Sequence, residues 1–365
     1  MAARNSLRDS DWSMLLAALM IASIGILQIY SATHQTALWQ GAWWRQAVYV
    51  GGGMVLLWVL SQADYHTLLS HSPIYYGVAL VLLLVVLLVG QTVSGGQRWL
   101  PLPGGFHFQV SEFMKLVIIS LVARYLTESR NEVLSLGRLA KVAALTLVPF
   151  VLVVLERDLG TALSYLPVLG MGIFLAGLPW KYWAALAVLG MGFSWVGYNY
   201  VLHDYQKARL ESFLNPEADP KGSGYQVVQS KIAIGSGGIR GRGVTQGSQT
   251  QLRFLPVPHT DFIFATFGEE HGFAGVVFVL VLYFWLLMQI VQNAQAAPDR
   301  AGMFLCMGVA ALLLFHLLVN VGMVAGLMPV TGIPLPLMSF GGSSTLSVFM
   351  MLGLVNNVRL RRFVN

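Results

Sequence analysis

The chain has 365 residues, of which 56% are hydrophobic and only 10% charged, against about 25% charged in an average soluble domain. That much apolar side chain cannot be hidden in one water-surrounded core, which makes lipid the main solvent and excludes an ordinary soluble domain. The formal net charge of +6 fits basic loops meeting anionic lipid head groups better than a nucleic-acid surface.

A membrane span needs about 20 mostly apolar residues. In chain order, such runs predict helices at about 12–31, 46–61, 73–90, 111–127, 140–155, 159–177, 182–201, 269–291, 301–325 and 341–358. The long run 140–201 must be divided by turns near Arg157 and at Leu178-Pro-Trp-Lys181, where proline stops a helix and the aromatic suits an interface. The first run lacks a small-residue cleavage pattern and reads as a retained helix. Cys306, the only cysteine, excludes an internal disulfide. The expected fold is an all-α polytopic membrane protein of about ten transmembrane helices, one domain over 1–365. One long extracytoplasmic loop, 202–268, lies between helices seven and eight.

Lys and Arg in the short loops set the orientation. With both termini cytoplasmic, the inner side receives Arg4, Arg8, Arg130, Arg138, Lys181, Arg300, Arg359, Arg361 and Arg362; the short outer loops receive Arg45, Arg98 and Arg157. In the long loop, His203 to Gly224 is polar and rich in turn formers. Tyr225 to Ile239 reads as a short amphipathic helix at the bilayer surface, ended by Gly235-Ser-Gly-Gly238.

Ionisable residues within spans are costly and each asks for a reason. On this topology Arg98, Glu112, Lys115, Glu156, Arg157, Asp158, Asp261, Glu269 and Glu270 all fall toward the outer half, and the inner half has no comparable set. That asymmetry points to a polar cavity opening outward. Glu112 and Lys115 share a helix face, either as a self-neutralising pair or with Lys115 turned to the cavity. Asp158 is a cavity residue or simply a helix N-terminal acid. Asp261, in Pro256-Val-Pro-His-Thr-Asp-Phe-Ile-Phe264, is a helix cap or a catalytic group held by stiff neighbours. One of Glu269 and Glu270 is expected to point back into the cavity. Ser343, near a helix N-terminus, suits phosphate or ordinary capping. Arg240 and Arg242, in a glycine-rich turn, suit a pyrophosphate at the membrane surface or solvent. The eight histidines show no metal-ligand spacing.

Together these segments resemble the SEDS family (shape, elongation, division and sporulation proteins), its RodA branch more than FtsW. The resemblance rests on Gly96-Gln-Arg-Trp-Leu100, Gln109-Val-Ser-Glu-Phe-Met-Lys115, Arg157-Asp-Leu-Gly-Thr-Ala162, Gly224-Tyr-Gln226, Ile234 to Gly243, His259-Thr-Asp-Phe-Ile-Phe264, Glu269-Glu-His-Gly-Phe273 and Pro334 to Ser344. These lie in order along nearly the whole chain. Val110 replaces a usual proline, and Val257 stands where glutamate is common.

The resemblance implies a peptidoglycan glycosyltransferase of the bacterial inner membrane that polymerises lipid II and works beside a class B penicillin-binding protein. It implies Asp261 as the essential acid, with Arg98, Trp99, Glu112, Lys115 and Asp158 lining the cavity. Arg240, Arg242, Glu269 and Ser343 are further substrate-binding candidates. A β-1,4 bond made from an α-linked donor is an inversion, for which one general base and a cationic clamp suffice. A divalent cation such as Mg or Mn is compatible with that clamp. The rival reading is a flippase or transporter of the lipid-linked precursor, which should carry its charges near the midplane on broken helices.

Overall fold

A computed structural model describes residues 9–36, 39–93, 96–102, 106–127, 135–202, 204–215 and 222–362. Arg4, Arg8 and Arg130 of the orientation argument, and His203 and residues 216–221 of the long loop, lie outside the described residues.

The chain folds as a helical bundle in this order: α1 (Trp12–Thr33), α2 (Ala42–Gln62), α3 (Tyr65–Val89), strands β1 (Gln91–Val93), β2 (Gly96–Leu102) and β3 (Phe106–Phe108), α4 (Val110–Thr127), α5 (Leu136–Leu155), α6 (Leu159–Leu163), α7 (Tyr165–Leu175) and α8 (Trp180–Val196), which continues as a wide π turn (Gly197–Val201). Then come α9 (Asp204–Leu214), α10 (Ser223–Gly237), α11 (Ser248–Gln251), α12 (Ile263–Gln295), α13 (Arg300–Val324) and α14 (Gly342–Leu360). Among the described residues α1, α3, α5, α12 and α13 are long and apolar enough to cross a membrane, and the chain is a multi-pass membrane protein.

Local chemistry explains where these helices begin. Asp11, Asp64, Ser135, Asp158 and Asp299 each accept a hydrogen bond from a first-turn backbone N–H of α1, α3, α5, α6 and α13. These caps carry α3 and α5 back past the expected starts, and Pro73, the expected first residue of its helix, lies inside α3. The centre of the bundle is α13, 72% buried over its most apolar window against 22% for α3. α12 packs on α1, α10 and α13, and α14 lies along α2. At that last crossing a Cβ on Gly353 would sit 2.8 Å from the Leu57 carbonyl oxygen, so only glycine permits the approach. α12 kinks at Gly272, whose φ of 64° and ψ of −167° suit glycine alone.

Three expectations need correction. The bundle is not all-α: β1, β2 and β3 form a three-stranded antiparallel sheet, with Gln91 opposite Trp99 and Leu100 opposite Phe108. A connection of this kind satisfies its backbone polar groups by pairing, and its Thr, Val, Trp and Phe residues favour strands. The turn-rich stretch after residue 203 contains α9, because Gln206 to Leu210 are mostly good helix formers. The amphipathic helix α10 packs on protein as well as facing outward: Val227 and Ala233 are buried, Val228 and Ile232 exposed, and Ser230 donates to the Val324 carbonyl.

The end of the bundle away from Asp261 carries an ionic network, contrary to the expected one-sided charge. Buried Asp11 accepts from Asn293 at 2.6 Å and pairs with Arg359 at 3.1 Å. Its backbone N–H donates to Asn356, which in turn donates to Ser61. Asp64 pairs with Arg361 and Asp299 with His66. These residues lie far apart in the sequence, and only the fold brings them together. Removing the buried carboxylate leaves the Arg359 guanidinium without its counter-ion and the Asn293 amide N–H without its acceptor, so Asp11→Ala is expected to cost about 3 kcal/mol. Thermal unfolding in detergent should show a clear fall in Tm, smaller for Asp11→Asn, which keeps the cap; an unchanged Asp11→Ala midpoint contradicts this account.

Candidate functional site

Asp261 lies on the approach to α12, and its backbone is pinned over three consecutive residues. The His259 carbonyl accepts from the Phe340 N–H at 2.9 Å, that of Thr260 from the Ser339 hydroxyl at 2.8 Å, and that of Asp261 from the Asn320 amide at 3.0 Å. Pro256 and Pro258 flank Val257, a β-branched residue held at φ 43°, so the loop is stiff and strained before the acid. Asp261 does not cap α12: the cap position is Phe262, with no side-chain bond. Its carboxylate is half-buried and points past Gly332, where a Cβ would stand 3.4 Å from Oδ2. Burial raises its affinity for a proton above the ordinary carboxylate range; Arg209, the Thr260 side chain and Arg98 pull it back, and Asp158 adds to the rise. His259, buried against Trp39 at 4.5 Å between ring centres, is lowered by burial to about 4 and is neutral at pH 7.

Asp158 is held on several sides. It accepts from Thr161 as the cap of α6, from the Gln109 amide at 2.9 Å, and pairs with Arg98 at 3.5 Å. Arg98 also donates to the Arg157 carbonyl at 3.0 Å. Arg157 itself sits at φ 62°, a strained conformation for a non-glycine residue. Beside them Glu156 is buried, and neither of its oxygens meets a protein hydrogen-bond donor. Burial pushes this carboxyl up to about 8; Asp158 raises it further and Arg98 opposes. It is a neutral acid at pH 7.

Behind this group lies a small cavity lined by Glu112, Lys115, His316, Pro336, Ser344 and Ser347 among others. Lys115 donates to Glu112 at 2.6 Å and meets His316 Nε2 at 3.3 Å. The other Glu112 oxygen accepts from Ser347 at 3.3 Å. Helical spacing places Glu112 and Lys115 on one face, and both are buried.

The structure therefore groups Asp261, Arg98 and Asp158, and sets Glu112 and Lys115 in an adjoining polar cluster. Trp99 lies half-buried on β2, edge-on to His107. Ser343 spends its hydroxyl on the Gln109 N–H and the His107 carbonyl, tying the sheet to α14 rather than awaiting a phosphate. Glu269 and Glu270 do not face the cavity. Glu269 accepts from Gln249 and twice from Thr250, and Glu270 from Gln28, Ser31 and Thr245. They fasten the loop before Asp261. Arg240 and Arg242 are exposed on the turn after α10, where Arg242 donates to the Ser236 carbonyl. Sequence reasoning missed Arg209, His316, Asn320 and the side chain of Gln109. A histidine and an asparagine one turn apart inside a span were the available signal for two of them.

The fold and this arrangement define a class: a polytopic membrane protein with a polar, charged site at one end of its helix bundle. The cell cycle protein family model (FtsW, RodA, SpoVE) matches residues 11–362. The peptidoglycan glycosyltransferase MrdB of Escherichia coli (strain K12) is 38% identical over 356 residues, covering 96% of this chain and 94% of that protein. RodA of Treponema pallidum (strain Nichols) is 34% identical, covering 97% and 98%. Among solved structures, one chain of a peptidoglycan synthase complex coordinating polymerisation and crosslinking superposes with a TM-score of 0.82 at 35% identity, covering 98% of this chain and 99% of that one. RodA of Thermus thermophilus gives 0.73 at 30% identity, covering 98% of each. The chain belongs to the FtsW/RodA/SpoVE family, the SEDS proteins, and within it is RodA-like.

Between its ordinary value of 4.5 and about 8, Glu156 keeps its proton in the folded protein while the unfolded chain loses it. Stability therefore falls as pH rises through this window. Glu156→Gln should abolish that fall, raising Tm over wild type by roughly 3 °C or more at pH 8 with little difference near pH 5. Parallel Tm-versus-pH curves for the two proteins would refute it.

Proposed function

We infer that this chain is a peptidoglycan glycosyltransferase that polymerises glycan strands from lipid II, with Asp261 as the general base. One observation carries the assignment. The carbonyls of His259, Thr260 and Asp261 each accept one hydrogen bond, which fixes the loop, while the half-buried Asp261 carboxylate stands among Arg98, Arg209 and Asp158. Its raised proton affinity suits a base, because proton transfer is most effective when the acceptor approaches the operating pH.

The acceptor is the 4-hydroxyl of an N-acetylglucosamine, and the donor sugar carries an α-linked pyrophosphate. As the hydroxyl oxygen attacks the donor anomeric carbon, its proton passes to Asp261. The bond from that carbon to the pyrophosphate oxygen breaks, and the leaving group takes the electron pair. Arg98, Arg209 and Lys115 are the cations available to hold the pyrophosphates before and after that step. Among the described residues, no three or more His, Cys, Asp or Glu side chains stand together to hold a metal ion.

The proposed topology has ten spans in the bacterial inner membrane, both termini in the cytoplasm and the loop 202–268 outside, so that the site faces the periplasm. The proposed partner is a class B penicillin-binding protein; the similarity to a chain of a synthase complex coordinating polymerisation with crosslinking supports it. The flippase alternative loses support at the far end of the bundle, where the polar network around Asp11 and Asn356 is paired within itself.

With purified protein and lipid II, Asp261→Asn is expected to lower polymerisation by about 100-fold or more. Membrane insertion and Tm should stay near wild type. Substantial glycan product from that variant on a polymer gel refutes the base assignment.

A further inference from the structure

α13 carries His316 and Asn320 one turn apart, on one face and about 6 Å along the axis. Both engage consecutive carbonyls of the non-helical strap between α13 and α14. The Asn320 amide donates to the Ile333 carbonyl at 2.8 Å and to that of Asp261 at 3.0 Å. His316 Nδ1 lies 3.2 Å from the Pro334 carbonyl, and its Nε2 lies 3.3 Å from Lys115 Nζ. One helix turn thus connects the loop bearing Asp261 with the buried ammonium.

The protonation state of the imidazole follows from its partners. A carbonyl only accepts, so Nδ1 must carry the hydrogen. Lys115 as an ammonium only donates, so Nε2 must offer its lone pair. The ring is therefore neutral with its hydrogen on Nδ1. Of the three ammonium hydrogens, one goes to Glu112 and one to His316. Tetrahedral geometry then fixes the direction of the third. The cavity lined by Pro336, Ser344 and Ser347 adjoins this same cluster.

We propose that His316 is a positioning residue for Lys115, its neutral imidazole and the Glu112 carboxylate together orienting the remaining ammonium N–H toward an anionic oxygen of the substrate. The proposal rests on the glycosyltransferase reading above and deepens it. His316 touches no substrate. It acts by holding a flexible four-carbon side chain in one orientation, at a distance from Asp261 set by the rigid turn between His316 and Asn320. Preorganised cations of this kind stabilise a leaving pyrophosphate without having to reorganise as charge develops.

The test uses the full chain, reconstituted with lipid II, and measures kcat and KM separately. His316→Leu removes both ring bonds, whereas His316→Gln can place an amide N–H on Pro334 and an amide oxygen on Lys115. His316→Leu is expected to lower kcat about tenfold with KM changed less than about threefold. His316→Gln should recover to within about threefold of wild type. In a Lys115→Met background, adding His316→Leu should change the residual rate less than about twofold, because the group being positioned is gone. Should His316→Leu fail to fold, His316→Met takes its place, being of similar volume and offering no hydrogen bond to Pro334.

Wild-type kcat in the apolar variant overturns the proposal. So does a glutamine variant as impaired as the leucine one, or losses that multiply in the double variant; each leaves His316 as packing alone. Full activity in Lys115→Met overturns it as well. If Asp261→Asn remains active while the His316–Lys115 coupling holds, the base assignment falls and the positioning role stands.

Discussion

Backbone that is neither helix nor strand, placed among apolar helices, must find hydrogen-bond partners in side chains. In this protein that constraint governs the strap between α13 and α14. The Pro336 carbonyl accepts from Tyr283, Ile333 from Asn320, and Ser339 from Gln46, while the Gly341 N–H donates to the same glutamine. Ser339 uses its hydroxyl twice, accepting from the Leu335 N–H and donating to the Thr260 carbonyl. Several of the groups that satisfy the strap also locate something else. Asn320 and Ser339 fix the Asp261 loop, and His316 reaches Lys115. The irregular segment is thereby the frame on which the polar site is assembled, and its prolines reduce the entropy lost in ordering it.

Buried charge separates into two kinds. Asp11, Glu269 and Glu270 have carboxylates met by named donors, which is the condition for an acid to be a fastener. Glu156 has no such donors among the described residues, and Asp261 has the Thr260 side chain while its carboxylate stands beside charges of both signs. A half-buried acid in such surroundings is costly unless a ligand or a proton completes it. Among the acids, Glu156 is thus the one whose buried carboxyl lacks a donor among the described residues, and it stands beside Asp158 and Arg98. Glu269, a buried acid in the sequence reading, is of the fastened kind, accepting from Gln249 and Thr250.

Much of the bundle was legible because a span announces itself as a run of apolar residues, and Glu112 and Lys115 paired as their spacing required. The capped starts of α3 and α5 were less legible; Pro73 in particular read as a boundary, although tertiary packing tolerates it inside α3. The sheet at residues 91–108 was hidden because its strands are only three to seven residues long, and so short a run has no clear period. In the site, the motif residues Arg98, Asp158 and Asp261 came together, but their supports did not show. Asn320, His316 and Gln46 are single polar residues inside apolar or mixed helices, and their partners are carbonyls far away in sequence. No local pattern encodes a bond to a backbone oxygen.

Arg209 shows how the remaining positions are set. It reaches Asp261 from α9, which follows α8, a helix that buries none of its described residues and exposes Phe193 and Trp195. The link from α8 to α9 runs through the π turn, where the Tyr198 hydroxyl donates to Glu211 and the Lys207 ammonium lies over the Tyr198 ring. The anchor lies on the other side: α9 packs on α10 with Gln206 and Ser212 buried, and α10 is seated on α12 and on the end of α13 through Ser230. The cation next to the carboxylate is thus referred to the same two helices that carry Asp261 and Asn320. A base whose proton affinity depends on a neighbouring guanidinium needs that neighbour on the same rigid frame, because an arginine drifting by a few ångströms would change the Coulomb interaction appreciably in a medium of low dielectric constant. By this logic the long loop is an extension of α12 and α13, and its helices keep the charges around Asp261 at fixed separations.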